Sequence, residues 1–394
     1  VNIPSNVEIA QAAFSNNELT SVTFKPYAGL DERICFDDSA GFVNYIDCPS
    51  TTIIGSGAFI NNSLETVTLP GGLKSIGDSA FGNNKLTKMT IPYSVERIGR
   101  LAFVDNNIAE LTFEAGNSQS NKLTLIEEYA FRGNSIKSLA IPINVERIGV
   151  DAFKDNELDT LTFETESKLS TISNGAFQNN KLTSVAIPTN VTKIHTKAFY
   201  NNVLQEVIFG EHTNGIDSLV SIGSSAFAKN FLKTVRISPG VTTIGVSAFA
   251  DNILASVDFA GTHTTPDDGL NQPYVTDYKI TTIKDKAFSG NQLGNITIPN
   301  SVEYIGEDAF NHNPLDDVHF RGDYPGDGFD EKMFGENTHG GVKYINVCQD
   351  KNNWEDVKFL SGESNNRTAL VSVTSINCNL SYAIMPSGAS AGVS

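Results

Sequence analysis

The chain has 394 residues, is 40% apolar and carries a formal net charge of −17 from 45 acidic and 28 basic residues. So acidic a surface repels phosphate backbones and anionic lipid, which disfavours nucleic acids and membrane surfaces as partners; it also keeps a secreted protein soluble. No apolar run approaches the ~18 residues that span a bilayer. No signal peptide is visible and the chain starts at Val1 without Met, so we interpret it as a processed or trimmed piece of a longer polypeptide.

A repeat organises most of the chain. The dipeptide Ala-Phe occurs twelve times, and an Asn always stands three residues after the Phe. These Phe residues are Phe14, Phe59, Phe81, Phe103, Phe131, Phe153, Phe177, Phe199, Phe227, Phe249, Phe288 and Phe310. Successive Phe residues are 22, 24, 28, 39 or 45 positions apart, with 22 as the base unit. A register kept over this length is typical of a stacked-coil solenoid and disfavours an enzyme.

With Phe as position zero, apolar residues recur at fixed positions of the repeat. Position +5 is Leu or Ile, +8 and +10 are apolar, and −5 is always Ile. Positions +5 to +10 predict a strand whose +8 and +10 side chains point inward, and −8 to −5 predict a second extended stretch. The Gly-x-x-Ala-Phe segment between them predicts a single helical or 3₁₀ turn. Because no coil buries its apolar side alone, the coils must stack, with strands ~4.8 Å apart.

The Phe and Asn residues have structural explanations. Stacked Phe rings predict a continuous spine, and the small Ala leaves room for the ring of the next coil. A buried Asn amide can satisfy main-chain groups of its own coil and of a neighbour. We therefore assign both residues to the fold and not to a ligand.

Insertions follow the strands that end in Phe at +10, which are Phe24, Phe113, Phe163, Phe209 and Phe259. All five leave the same corner of the coil and predict a ridge of loops along one edge, the usual way to build a binding face on a repeat protein. The short loops are equally consistent with sequence drift. For the long insertions, 25–50 and 260–279, we favour binding. The candidate binding residues are Tyr27, Asp31, Glu32, Phe42, Tyr45, Asp267, Asp268, Tyr274 and Tyr278.

The four cysteines lie outside the regular coils. Cys35 and Cys48 fall in the first insertion, and Cys348 and Cys378 in the C-terminal segment. An even count grouped by region suggests the disulfides Cys35–Cys48 and Cys348–Cys378 and an oxidising compartment. Zinc is the alternative, but no CxxC or HxxxH spacing supports it.

Other chemistry finds little support in the sequence. Asp323, Asp327 and Asp330 do not fit a calcium-binding loop. A row of Thr at +9 invites an ice-binding interpretation, but Thr is also simply favoured in strands. The six His are scattered, and no nucleophile motif or glycine-rich phosphate loop occurs. We predict no catalytic residue, no cofactor and no metal site.

The segment Ile91–Phe103, Ile-Pro-Tyr-Ser-Val-Glu-Arg-Ile-Gly-Arg-Leu-Ala-Phe, resembles the BspA-type leucine-rich repeat of bacterial surface proteins. The resemblance extends over residues 1 to about 320. This chain differs at +3, where many members carry Cys. The resemblance implies a curved solenoid and a secreted or cell-surface protein that adheres to host or matrix molecules.

We therefore predict a β-rich α/β solenoid, a right-handed leucine-rich-repeat superhelix of about twelve to thirteen coils over residues 1–320. Residues 321–394 are expected to form a C-terminal cap and a β-rich tail, because an open solenoid end exposes apolar surface. The predicted function is a non-catalytic, extracellular or surface-displayed bacterial module that binds a host or matrix protein or a glycan, with a monomer favoured. A passive spacer or surface-layer scaffold within a larger protein is the alternative.

Overall fold

A computed structural model provides the structure of the chain. It describes residues 1–4, 8–25, 52–115, 121–210, 218–259, 262–263, 276–277, 279–321, 328–330, 332–335, 342, 344–348, 360–361, 369–370 and 373–376. Over these ranges the chain forms strands and turns without an α-helix. The α/β part of the predicted fold class is therefore not confirmed. The described residues form a β-solenoid of about twelve coils.

Short strands make up all the regular structure of the described ranges. The first fifteen are β1 (Asn2–Pro4), β2 (Ser21–Lys25), β3 (Ile53–Ile54), β4 (Thr66–Thr68), β5 (Ser75–Ile76), β6 (Lys88–Ile91), β7 (Arg97–Ile98), β8 (Glu110–Phe113), β9 (Leu125–Ile126), β10 (Ser138–Ile141), β11 (Arg147–Ile148), β12 (Thr160–Phe163), β13 (Thr171–Ile172), β14 (Ser184–Ile187) and β15 (Lys193–Ile194). The others are β16 (Glu206–Phe209), β17 (Ser221–Ile222), β18 (Thr234–Ile237), β19 (Thr243–Ile244), β20 (Ser256–Phe259), β21 (Thr262–His263), β22 (Thr276–Asp277), β23 (Thr282–Ile283), β24 (Asn295–Ile298), β25 (Tyr304–Ile305), β26 (Asp317–Phe320), β27 (Tyr344–Cys348), β28 (Leu360–Ser361), β29 (Ala369–Leu370) and β30 (Val373–Ile376).

The two-residue strands at −6 and −5 form one parallel sheet of eleven strands, from β3 to β25, which we call the rear sheet. Its strand order follows the chain order, so each coil lies directly on the preceding one. Single bridges from Ile9 to Ile54 and from Ile305 to Phe329 extend the rear sheet by one coil at each end. The inward Ile at −5 is fully or almost fully buried in each of these coils.

The strands at +7 to +10, which we call the strand face, do not form one sheet. They pair as β6 with β8, β10 with β12, β14 with β16 and β18 with β20, while larger groups of three and four strands occupy the two ends. In each two-strand pair the first strand is of the Ile type, with a Pro following, and the second ends in Phe. The strand face is therefore divided into doublets.

The predicted Phe spine is confirmed. From Phe14 to Phe310, successive ring centroids lie 5.1–5.7 Å apart with the ring planes within 12° of parallel. Stacked rings at this spacing contribute roughly 0.5–1.5 kcal/mol per pair beyond area burial. The Phe N–H of each coil donates to the carbonyl of the Ala in the next coil, as from Phe81 to Ala102 at 2.8 Å.

The predicted role of the Asn residues is also confirmed. The amide of Asn84 donates to the carbonyls of Phe81 in its own coil, at 3.1 Å, and of Phe59 in the preceding coil, at 2.9 Å. Its side-chain oxygen accepts the Leu64 N–H at 3.0 Å. The same pattern recurs up to Asn313. Asn17, in the first coil, is exposed and, among the described residues, bonds to the nearby Ser15 carbonyl at 3.1 Å.

The corner between the rear sheet and the strand face, which we call the Phe corner (−4 to +4), is not the predicted helical turn. Amides at alternate positions donate to the next coil, as from Ser79 to Arg100 at 2.7 Å, while those between them close local turns. This geometry requires a left-handed residue at −2 and at +2, and every coil from Phe14 to Phe310 has a φ of 50–69° at both. No Val, Ile or Thr occupies any of these positions, because β-branched residues tolerate positive φ poorly.

Glycine usually stands at −4 of the repeat, as at Gly55, Gly77 and Gly99. At Gly77 no positive φ is involved, but a Cβ there would lie 2.5 Å from the Ser56 nitrogen of the preceding coil. Close approach of two main chains, and not turn geometry, therefore favours Gly at this position.

The stack continues beyond Phe320, where the sequence spacing is lost. Phe334 lies 6.4 Å from Phe310, tilted by 33°, and the Phe310 N–H donates to Met333 as it would to the usual Ala. Beyond it, β27 pairs in parallel with β26, and β30 with β27. The predicted cap beyond residue 320 and the domain boundary there stay predictions.

Replacing Asn202 with Ala tests the Asn ladder. The variant loses the bonds to the Phe177 and Phe199 carbonyls and to the Leu182 N–H. We expect the free energy of unfolding, measured by urea titration, to fall by about 1–3 kcal/mol for each buried group left unpaired. Asn295→Ala, at an exposed strand position, is the control and should change it little. Equal effects of the two changes would contradict the assigned role.

Ser247, at a −2 position with φ 54°, tests the left-handed corner. Ser247→Val should lower the free energy of unfolding by about 1–2 kcal/mol, because a β-branched residue is strained at positive φ. Ser247→Gly should leave it unchanged or raise it. Ser256→Val, in the exposed part of β20, serves as the control. A Val tolerated equally well at both sites would rule out the strain argument.

Candidate binding surfaces

The predicted site residues lie outside the described ranges. This holds for all nine candidates, Tyr27, Asp31, Glu32, Phe42, Tyr45, Asp267, Asp268, Tyr274 and Tyr278, and for Cys35, Cys48 and Cys378. Of Cys348 only the backbone, in β27, is described. The loop ridge and the two disulfides therefore stay predictions.

The starting points of the loops are described. The five loops begin after β2, β8, β12, β16 and β20, which are parallel strands of stacked coils. Their carboxyl ends therefore lie along one side of the solenoid, which we call the loop edge. The antiparallel pair β21–β22 lies within the insertion 260–279.

The loop after β12 is described throughout. A Glu164 side-chain oxygen accepts the Ile143 N–H at 2.9 Å, and the Lys168 N–H donates to the Ile143 carbonyl at 2.9 Å. Asn190 of the following coil donates to the Ser167 carbonyl at 2.8 Å. This loop is thus held from both sides by polar contacts, so it presents its outward side chains from a fixed backbone.

A groove of about 600 Å³ opens on the strand face where two doublets meet, between β8 and β10. Its walls include Leu111 and Phe113 on one side and Ser138, Ala140 and Pro142 on the other. Just before the two strands, the Ser135 N–H donates to the Ile108 carbonyl at 3.0 Å. Within the described ranges, β8 and β10 are not paired with each other beyond this bond. Pro142 offers no N–H to the preceding strand, so it cannot extend the pairing.

The polar groups around this groove are ordered. Asn121 is buried, donates to the Glu114 carbonyl at 2.9 Å and accepts the Leu123 N–H at 2.9 Å. Glu110 accepts a hydrogen bond from Lys88 at 2.8 Å, and this bond and the lysine charge lower the pKa of its carboxyl. The groove therefore combines an exposed carboxylate, hydroxyl and amide groups, and the half-buried Phe113 ring.

The described residues do not assemble a metal or acid–base centre. No group of three or more His, Cys, Asp or Glu among them is placed to hold a metal ion. Burial lowers the pKa of His195 and of His319, but these residues lie on different coils and different faces. Asp323 and Asp327, considered above for calcium, lie outside the described ranges, and Asp330 accepts the Lys332 N–H at 2.8 Å. Nothing in the described part of the chain forms an apolar helix of membrane-spanning length.

The groove was missed by the sequence argument, although its signal is present. Strands ending in Ile and Pro alternate with strands ending in Phe from Ile91 to Phe259. That alternation marks the doublets, and each division between them falls before a strand that Pro follows. The five Pro residues are Pro92, Pro142, Pro188, Pro239 and Pro299.

A solenoid of short parallel strands with a repeated Leu, Asn and Phe core defines the class of leucine-rich-repeat proteins. The family model for the BspA type leucine rich repeat region, in six copies, matches residues 1–109, 117–220, 169–270 and 270–387. The chain belongs to this family. No curated protein matches it.

Several solved structures are similar. The pneumococcal vaccine antigen PcpA is 21% identical, with 72% of this chain and 80% of that chain covered and a TM-score of 0.44. A leucine rich cell surface protein from Faecalibacterium prausnitzii is 20% identical, with 77% and 82% covered and a TM-score of 0.41. A leucine-rich repeat protein from Bacteroides ovatus is 17% identical, with 87% and 92% covered and a TM-score of 0.41. Similarity at this level carries no conclusion about what this chain binds.

Proposed function

We propose that this chain is a non-catalytic binding module, secreted or displayed on a bacterial surface, that adheres to a protein or a glycan through its loop edge. The supporting residues are the nine aromatic and acidic side chains of the insertions 25–50 and 260–279. Aromatic and acidic residues that are close together in the sequence suit contact with either class of partner.

The groove between β8 and β10 is the observation that carries this proposal. It runs along the strand face to the base of the loop after β8, since Glu114, Ala115 and Asn121 belong to its lining. A volume of about 600 Å³ lies within the range of ligand-binding clefts. A partner seated on the loop edge would thus have a preformed cleft beside it.

The cysteines support an extracellular setting for this activity. A Cys35–Cys48 bridge would close the first insertion on itself, and a Cys348–Cys378 bridge would link β27 to the chain two residues after β30. Both bridges would form and persist in an oxidising compartment. The reduced and oxidised proteins should then differ in mass by four hydrogens and in migration on non-reducing gels.

The rival function is a passive spacer. The evenly stacked spine, with ring centroids 5.1–5.7 Å apart from Phe14 to Phe310, is the observation that favours it, because such a stack makes a long and regular support. Broad arrays of glycans and matrix proteins separate the two functions. Binding to none of them favours the spacer.

The binding test removes the loops and leaves the stack intact. Replacing residues 26–50 and 261–278 with short Gly-Ser linkers should leave the melting temperature nearly unchanged, because the corner and rear sheet keep their contacts. Binding to the partner found on the arrays should weaken by at least about tenfold if these loops supply its main contacts. Unchanged affinity without both loops would exclude the loop edge as the site.

A point substitution tests the groove separately. Ala140→Arg places a long side chain in it and should weaken partner binding with little change in stability, because Ala140 is exposed. Thr243→Arg on the rear sheet is the control, since Arg97 and Arg147 already occupy the equivalent position in other coils. If the two variants bind equally well, the groove takes no part.

A further inference from the structure

A second surface stands out on the opposite side of the coil from the loops. From Leu169 to Ala250 the described residues carry a single carboxylate, Glu206, although the whole chain has a net charge of −17. The same stretch carries the cations Lys181, Lys193, Lys197, Lys229, Lys233 and Arg236. Residues 211–217 add the carboxylates of Glu211 and Asp217, so this stretch has six cations against three carboxylates and is basic on an acidic protein.

Two of these lysines lie beside one aromatic ring at the Phe corner, and a third, Lys193, precedes them in β15 of the rear sheet. The Nζ atoms of Lys197 and Lys229 lie 5.6 and 5.7 Å from the centroid of Tyr200, although the two lysines belong to different coils. Lys193 and His195 precede Lys197 at alternate positions of the same coil. We call Lys193, Lys197, Tyr200 and Lys229 the lysine patch.

The lysines of the patch form no ion pair with a carboxylate of the described residues. No carboxylate of the described residues lies within 4.0 Å of the ammonium group of Lys193, Lys197 or Lys229. A hydrogen bond to Tyr200 raises the pKa of Lys229, with a smaller contribution from Asp251, so this lysine stays charged. Lys181 and Arg236, by contrast, pair with Glu157 at 3.5 Å and Asp258 at 3.6 Å.

A second tyrosine in the same corner provides an internal comparison. Tyr129 also lies between two cations, with Arg100 at 5.5 Å and Arg132 at 5.8 Å from its ring centroid. There, however, Arg100 pairs with Glu128 at 3.7 Å and Arg132 with Asp155 at 3.4 Å. The two cations beside Tyr129 are therefore paired with carboxylates. The two lysines beside Tyr200 differ from them because no described carboxylate forms an ion pair with either lysine.

The neighbours of the lysine patch are hydroxyl and amide groups. The Lys197 N–H donates to the Ser224 main-chain carbonyl at 2.9 Å, and the Thr196 N–H donates to the Asn174 side-chain oxygen at 3.1 Å, which places these three polar residues next to the patch. Two residues beyond Lys229, the ring of Phe231 is 51% exposed. Cations, hydroxyl groups and an exposed aromatic ring are the groups that recognise an acidic sugar.

The extent of the lysine patch limits the shape of its ligand. Along the +2 row, Asp155 stands before the patch and Asp251 after it, with Asn179, Asn201 and Lys229 between them. A planar anionic membrane would meet these carboxylates, whereas one narrow anionic chain crossing two coils would not. The amides of Lys197, Asn201 and Lys229 already donate to the next coil at 2.9–3.0 Å, which leaves no free strand edge for an extended peptide.

We propose that the lysine patch binds an acidic polysaccharide that carries sulfate or carboxylate groups. The proposal rests on the binding role proposed above and names one ligand class for it. Its site is separate from the loop edge, so a loop deletion leaves it intact. The ammonium groups of Lys193, Lys197 and Lys229 would receive the anionic groups, and Phe231 would pack against a sugar ring.

The test measures binding of the full chain to a heparin hexasaccharide by calorimetry at physiological salt. The double variant Lys197→Gln and Lys229→Gln should bind at least about tenfold more weakly, because charge-assisted hydrogen bonds are the strong ones. Replacing both lysines with Arg should restore binding. Lys154→Gln is the matched control in the same corner, since Lys154 is already paired with Asp151 at 3.3 Å, and it should bind like the unchanged protein.

Three results would overturn the proposal. The first is no measurable binding of the hexasaccharide, and the second is equal binding by the unchanged protein and the double Gln variant. The third is a poly-glutamate peptide that binds as tightly as the sugar, which would assign the lysine patch to acidic protein segments. Circular dichroism of the Gln variant checks that its fold is intact. The loop-deletion variant separates the two proposals. If it loses binding to the partner found on the arrays but still binds heparin, the loop edge and the lysine patch are independent sites.

Discussion

The hydrogen bonding of one buried Asn per coil is the constraint on which the rest of this structure depends. A chain that turns sharply every coil exposes carbonyls and amides at the turn, and buried groups of this kind must be paired. Asn84 pairs with the Phe81 and Phe59 carbonyls and with the Leu64 N–H, so one side chain fixes two coils in register. The Phe rings then stack at constant spacing because the main chain beside them is fixed.

This arrangement separates a regular part of the solenoid from a variable part. The Phe corner and the rear sheet run through every coil. The strand face, by contrast, is divided into doublets, and the loops that leave the loop edge differ in length. Insertions are tolerated between Phe24 and Phe59 or Phe249 and Phe288 because the rings on either side still stack, at 5.2 and 5.5 Å. Surface charges can vary in the same way, since the left-handed positions hold Lys at 197 and 229 and Asp or Asn in most other coils.

Features that recur in every coil could be predicted from the sequence, whereas features that occur only once along the solenoid could not. The Phe spine and the Asn bonds follow from twelve equal spacings, whereas the corner geometry shows only as a lack of β-branched residues at positions such as Leu101 and Tyr129. The coil at Phe334 does not match the repeat pattern, because Met333 stands where Ala is usual and Phe329 where Ile is usual. The lysine patch joins Lys197 to Lys229 across coils, which requires the register in space. The loop residues share no spacing, so the repeat says nothing about them.

Amide hydrogen exchange resolved to single residues tests the central claim, that a continuous corner supports a divided strand face. The account predicts strong protection of the Phe amides at every corner. Along β10 it predicts protection of Leu139, whose amide faces β12 in the parallel register, and fast exchange of Ser138 and Ala140, which face the groove. Protection of Ser138 and Ala140 equal to that of Leu139 would contradict the account, because it would mean that the strand face is one continuous sheet.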